Sequence, residues 1–297
     1  MTEPQRKLSP RAASLLSATN AERIAHIDQP IFIPYPRAVE VLAEMEDLLV
    51  HPKTNRMPNI LLAGRSNNGK TEILREFLKR HPADEQLDQD AIYAPVVYIQ
   101  SPPGPSEHIF LNKMLVMLGM TVPTNEAADR KLLRLMDMLS RVQTRVLMID
   151  ELNALLAGSV TKQRFFLNML KYLSNELQIC IVAAGTQDAI QAVKSDAQIE
   201  SRFPIRPLPR WQENDAFRRL LYSFEYTLPL KYASDLHKGD LARKLFGMSE
   251  GVIGELSKIV RSAAQHAIQT ATERITPGII DSCPYVARKG SQGDELL

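Results

Sequence analysis

The sequence predicts an α/β fold, a parallel sheet flanked by helices, followed by an all-helical C-terminal domain. Three observations predict it. Short apolar, β-branched runs alternate with helical patterns up to about residue 210, which implies parallel strands covered on both faces. The first of these runs, NILLAG (Asn59 to Gly64), leads straight into a glycine-bounded loop, GRSNNGKT, and then into an amphipathic segment. From Trp211 onward strand signals stop and only helical patterns follow.

The loop comprises Gly64, Arg65, Ser66, Asn67, Asn68, Gly69, Lys70 and Thr71, and it matches G-x-x-x-x-G-K-[ST]. Glycines there let the backbone curl so that several N–H groups face one anion. The lysine reaches the β- and γ-phosphates of a nucleotide and the hydroxyl ligates Mg²⁺. Downstream, Ile73, Leu74, Phe77 and Leu78 fall on one helical face, with Glu72, Arg75, Glu76, Lys79 and Arg80 on the other. The helix N-terminus, Glu72 included, would aim free N–H groups and the positive dipole end at the phosphates.

The strand series continues with PVVYIQ (95–100), VLMI (146–149), QICIVAAGT (178–186) and the brief IRPL (205–208). Between them lie the helical patterns HIFLNKMLVMLGM, ADRKLLRLMDMLSRV and KQRFFLNMLKYLSNEL. Asp150 and Glu151 close the VLMI strand at its carboxyl end, where ligands of open α/β sheets gather. Asp150 is the expected Mg²⁺-side carboxylate, acting partly through ligated water, and Glu151 the base that polarises the attacking water. The plainer reading makes both of them helix-capping acids. Thr186 ends the next strand and can reach the γ-phosphate or the lytic water, or it simply follows a turn through Gly185. Arg202 stands at the end of a short helical pattern, just before IRPL. There it either projects into a neighbouring subunit's nucleotide or pairs with its own helix dipole.

After Trp211 the helical patterns ENDAFRRLLYSFEYTL, DLARKLFGMSEG and GVIGELSKIVRSAAQHAIQTATE precede ITPGIID, where Thr276 caps a short helix opened by Pro277. The expected organisation is a flexible segment 1–18, an α/β domain 19–210, a helical lid 211–286 and a flexible tail 287–297.

With 44% hydrophobic and 24% charged residues, the composition is that of a soluble globular protein. No apolar run is long enough to span a bilayer, and the start lacks the apolar core of a signal peptide, so a cytoplasmic location without membrane attachment is expected. Cys180 and Cys283 read as two reduced thiols. A net charge of +2 makes any nucleic-acid surface a local one.

A phosphate loop, a strand ending in Asp-Glu, a polar fourth-strand residue, an arginine before the fifth strand and a helical lid resemble the AAA+ plan of P-loop NTPases, of the ASCE type. More narrowly, IFIPYPRA, LLAGRSNNGKT, MIDELNALLAGS, KQRFFLNMLKYLSNEL, IVAAGTQDA and SRFPIRPLPRW resemble the TniB family, ATP-dependent transposition proteins of bacterial mobile elements related to TnsC and the phage Mu B protein. The resemblance covers about residues 20–285. It implies an ATP- and Mg²⁺-dependent ATPase that binds double-stranded DNA without sequence preference. It further implies a homo-oligomer, ring or helical filament, that recruits a transposase. IFIPYPRA resembles the segment that holds adenine, which carries Ile33, Pro34 and Arg37 over as contacts; a hydrophobic strand entering a turn is the alternative. Loops after the second and third strands face the centre of AAA+ assemblies, so Lys113, Ser159, Thr161, Lys162 and Arg164 are the expected DNA contacts, unless they are solvated surface.

One departure stands out. Lids of this kind often place an arginine near the start of their third helix, but that position here falls in GVIGEL, with Lys258 and Arg261 one or two turns on. Two other functions fit the same fold. A protein-remodelling ring would need an aromatic pore residue, and SPPGPSEH and NALLAGSVTKQR offer none. A nucleotide-dependent scaffold without turnover would not need the Asp150-Glu151 pair.

Overall fold

The structure, a computed structural model, describes residues 7–86 and 91–285. The chain runs α1 (Pro10–Ser14), a single 3₁₀ turn (Leu15–Ser17), α2 (Asn20–Asp28), α3 (Pro36–Val50) and β1 (Ile60–Gly64). Next come α4 (Lys70–Arg80), β2 (Asp84–Gln86), β3 (Ala91–Tyr93), β4 (Val96–Gln100), α5 (Glu107–Met117) and α6 (Ala128–Arg141). Then follow β5 (Val146–Asp150), α7 (Leu152–Leu155), α8 (Val160–Leu177), β6 (Cys180–Gly185), α9 (Gln187–Lys194), α10 (Ala197–Glu200) and β7 (Ile205–Leu208). The last helices are α11 (Asp215–Thr227), α12 (Gly239–Ser249), α13 (Ile253–Gln269) and α14 (Pro277–Ser282).

Two compact units emerge. Of the described residues, the α/β unit is Pro36–Ser66 with Lys70–Leu208; the helical unit takes those up to Tyr35, the short segment Asn67–Gly69, and those from Pro209. In the α/β unit five parallel strands pair in the order β4-β5-β6-β1-β7. Every residue of β1, β5 and β6 is buried, so these strands are covered on both faces, which is why they read as continuous apolar runs. Asn59 fixes the register at the start of β1: its Oδ1 accepts from the Ile181 N–H at 2.7 Å and from Ser174 Oγ at 3.2 Å. Because β6 lies between β1 and β5, the strand ends bearing Gly64 and Asp150 stand one strand apart. The antiparallel pair β2–β3, with Asp84 opposite Tyr93, is absent from the sequence reading.

The helical unit has its own core, in which Ile27 of α2 and Ile33 join Phe217, Leu221, Leu245, Leu256, Ile259 and Ile280. A buried ion pair ties its first and last parts together. Arg23, 1% exposed, donates from Nη1 to Glu273 Oε1 at 2.8 Å and from Nη2 to Oε2, while its Nε and Nη2 donate to the Pro229 carbonyl. Glu225, also buried, accepts the N–H groups of Ser234, Asp235 and Leu236 at 2.7, 3.0 and 2.9 Å.

Two expectations need correction. Residues 7–18 are not a loose segment: Ser9 caps α1 by accepting from the Ala12 N–H, and its own N–H donates to the Tyr226 carbonyl at 2.8 Å. Thr19 then opens α2 with a reciprocal capping box to Glu22, a signal the polar composition hid. The boundary at residue 19 also moves, because the described residues up to Tyr35 belong to the helical unit, with Ile27 of α2 and Ile33 buried in its core. Residues 1–6 and the tail 287–297 lie outside the described residues. Among those described, no helix is long and apolar enough to cross a membrane, and both cysteines are buried and unpaired.

Candidate functional site

The glycine loop connects β1 to α4. Asn67 (φ +65°) and Gly69 (φ +86°) take left-handed backbone conformations, the alternation by which successive N–H groups line one concavity. Lys70, 3% exposed, turns back over the loop, donating from Nζ to the carbonyls of Gly64 and Arg65 at 2.8 Å each. Burial pulls its pKa down, opposed by the negative charges of Glu151 and Asp150.

One hydrogen bond joins the first turn of α4 to the end of β5: Thr71 Oγ1 donates to Asp150 Oδ2 at 2.7 Å across a sequence separation of 79 residues. The same oxygen accepts from Tyr98 of β4 at 3.1 Å, and Asp150 Oδ1 accepts the Glu151 N–H at 2.9 Å. Burial, followed by the Asp150 charge and the hydrogen bond, pushes the Tyr98 phenol up to about 12, so it stays a donor at every relevant pH. Tyr98 is a member of the site that sequence reasoning missed. Its signal was a lone hydroxyl inside the otherwise apolar run PVVYIQ.

Glu151 sits at φ +54°, ψ +43°, a conformation uncommon for a residue with a side chain, and serves as the N-cap position of α7. Its carboxylate does not cap the helix; instead Oε2 accepts from Asn153 Nδ2 at 3.2 Å. The helix-capping alternative for Glu151 is therefore not what the side chain does. Gly185 closes β6 where a Cβ would lie 2.5 Å from the Ala189 Cβ and 3.6 Å from Asn153 Oδ1, so only glycine fits between α7 and α9. Thr186 follows, half-buried, at the N-cap of α9 with no capping bond from its hydroxyl. Nearby, Ser101 Oγ, Asn153 Oδ1 and Gln187 Oε1 are buried without partners. Such orphaned polar groups are rare in a folded interior and mark a place built for something else polar.

Arg202 lies at the far end of the sheet. It precedes β7, whose first residue pairs with Leu61 near the start of β1, while the loop leaves the other end of β1. The four steps from Ile60 to Gly64 span about 13 Å at strand rise. Arg202 Nη1 donates to Asn175 Oδ1 at 3.0 Å, and burial together with the Arg56 charge lowers its pKa.

The remaining predicted residues scatter. Ile33 is buried in the helical core, Arg37 is half-buried and donates to the Pro207 carbonyl and to Glu40, and Pro34 is exposed. Residues 31–35 are coil rather than strand and lead into α3, and the aromatic Tyr35 meets Trp211 edge-on at 5.2 Å between ring centroids. Glu72 is half-buried, 3.7 Å from Arg75. Lys113 donates to the Gln100 carbonyl at 2.6 Å. Ser159, Thr161, Lys162 and Arg164 gather on the exposed start of α8. Within the helical unit Lys258 is bonded to Glu255 and Arg261 to the Asp28 carbonyl.

A family model described as Bacterial TniB protein matches residues 23–213, well over half the chain. Among solved structures, the Orc1 protein of Aeropyrum pernix in complex with DNA is similar at a TM-score of 0.61 and 15% identity, over 88% of this chain and 68% of that one. Cdc6p from Pyrobaculum aerophilum gives a TM-score of 0.61 at 18% identity over 85% and 68%. Drosophila ORC bound to DNA gives 0.58 at 13% over 95% and 68%. At these identities the likeness is one of fold: a parallel sheet flanked by helices and followed by a helical domain, the AAA+ P-loop architecture. No curated protein matches the sequence.

Proposed function

Because the chain belongs to the TniB family, we propose that it is an ATP-dependent, sequence-nonspecific double-stranded DNA-binding AAA+ ATPase that regulates transposition, oligomerising on target DNA and recruiting a transposase. The observation that carries the enzymatic half is the Thr71–Asp150 hydrogen bond at 2.7 Å, which gathers a hydroxyl and a carboxylate beside a buried lysine. A hydroxyl and a carboxylate oxygen are the hard donors Mg²⁺ takes, the rest of its shell coming from phosphates and water. When bound, the cation would neutralise charge on the β- and γ-phosphates.

The chain's own groups do the rest. Loop N–H groups and Lys70 hold the phosphates. Glu151 takes the proton of the attacking water, whose oxygen bonds to the γ-phosphorus as the bond to the β-phosphate oxygen breaks, giving ADP and inorganic phosphate. Asn153 keeps the Glu151 carboxylate turned toward that water, and Thr186 orients it. Arg202, at the opposite end of the sheet from its own loop, serves the nucleotide of a neighbouring copy.

A DNA partner is supported by the family and by two similar structures that were solved with DNA. The exposed hydroxyls and cations at the start of α8 suit backbone phosphates, which carry no sequence information. Gel shifts on random duplex DNA with ATP, ADP and no nucleotide test the nucleotide-coupled DNA binding at the centre of this proposal. Binding is expected with ATP alone, and Lys70→Ala is expected to abolish it together with ATP binding; ATP-independent binding by the variant would sink the coupling. Neutralising Lys162 and Arg164 together should weaken DNA binding uniformly across sequences. The slope of log K against log salt should shrink by roughly 0.9 for each DNA phosphate that is no longer neutralised. An unchanged slope moves the DNA surface away from α8.

A further inference from the structure

The tip of the glycine loop, Asn67–Gly69, belongs to the helical unit, and the first turn of α13 holds it there. Asn67 Nδ2 donates to Glu255 Oε1 at 2.7 Å, and the Gly254 N–H donates to the Asn67 carbonyl at 3.0 Å. The approach leaves no room: a Cβ on Gly254 would stand 2.1 Å from Asn67 Oδ1 and 2.6 Å from its carbonyl oxygen. On Gly69 a Cβ would meet Ile253 Cγ2 at 3.5 Å. Glu255 is itself fixed, accepting from Lys258 Nζ at 2.9 Å on Oε1 and from Tyr285 at 3.0 Å on Oε2.

This arrangement differs from a cation that touches phosphate. A carboxylate cannot attract a polyphosphate, so whatever Glu255 contributes is carried by the loop. In a trans peptide the N–H of one residue points opposite to the carbonyl before it. With the Asn67 carbonyl drawn to Gly254, the Asn68 N–H is turned away from α13, and the left-handed Asn67 is held by both its backbone and its side chain.

We propose that Glu255 is a positioning residue for the phosphate loop: through Asn67 it preorganises the loop for the nucleotide's phosphates and so sets nucleotide affinity, without itself contacting the nucleotide. The inference rests on the nucleotide-binding reading above. Preorganisation raises affinity by removing the ordering cost that binding otherwise bears.

The test titrates the full chain with fluorescent ADP and ATP analogues and measures kcat and KM for ATP. Glu255→Ala is expected to weaken both ligands about tenfold and to raise KM in step, with kcat within about twofold, as fits the removal of one charge-assisted hydrogen bond that orders a loop. Glu255→Gln still offers Oε1 to Asn67, so its affinity should stay within about threefold of wild type. Asn67→Ala removes the same bond from the loop side, and combining it with Glu255→Ala should weaken binding no further than the stronger single change. Unchanged affinity in Glu255→Ala, equal losses in the alanine and glutamine variants, or additive losses in the double variant would each overturn the proposal. A wild-type chain that binds neither analogue would instead overturn the nucleotide reading beneath it. If Glu255→Ala fails to fold, Asn67→Ala and Glu255→Gln decide alone, the first expected to lose affinity and the second to keep it.

Discussion

Glu151→Gln is expected to leave ATP bound while slowing its hydrolysis by about 10² to 10⁴, the usual contribution of a positioned general base. The amide has nearly the carboxylate's shape, and its oxygen can still accept from Asn153 Nδ2, so the left-handed turn at residue 151 keeps its support. What it loses is the capacity to take a proton. The Asp150 carboxylate is untouched, because its partners are Thr71, Tyr98 and a backbone N–H. Phosphate release should therefore fall while filter-retained nucleotide and the DNA-bound oligomer persist. Hydrolysis at the wild-type rate would show that some other group activates the water.

Glu273→Ala should be the most destabilising single change in the helical unit. It strands the Arg23 guanidinium, 1% exposed, with only neutral partners, and breaking one side of such a buried pair costs about 3–5 kcal/mol. Denaturant unfolding monitored through Trp211 reads this directly; a loss below about 1 kcal/mol would mean the site relaxes enough to hydrate the arginine. The same pair shapes acid stability. Arg23 holds the Glu273 carboxyl below its ordinary value of 4.5. Its contribution is thus complete above that ordinary value and is lost as pH falls through the lower, folded-state one. Wild-type stability should decline over that acid range more steeply than that of the variant, which has no such carboxyl left to protonate.

The parts legible in the sequence are those where local chemistry leaves little choice. β1, β5 and β6 are buried at every residue, so their runs stand out, and a glycine loop between strand and helix can be read from its spacing. Thr276 with Pro277 at α14 was legible for the same reason: capping uses neighbours in the chain. Long-range contacts were not legible. Nothing near Arg23 announces Glu273, 250 residues away, and nothing near Asn67 announces Glu255, 188 residues on. Ile33 shows the complementary failure. Its apolar neighbours looked like a nucleotide-facing segment, yet an isoleucine beside a helical core is more stable inside it. Tyr98 and Asn153 were hidden because their role lies in orienting other side chains.

The placement of Arg202 at the end of the sheet remote from its own loop bears on how activity scales with the amount of protein. If the guanidinium serves only an adjoining copy, the working catalyst is the junction between two chains, and a solitary chain is half of two different catalysts. Turnover per chain then falls on dilution even when nucleotide is saturating. On the proposed reading, DNA would raise the rate by crowding copies together along one thread, with no need to alter any residue around Asp150.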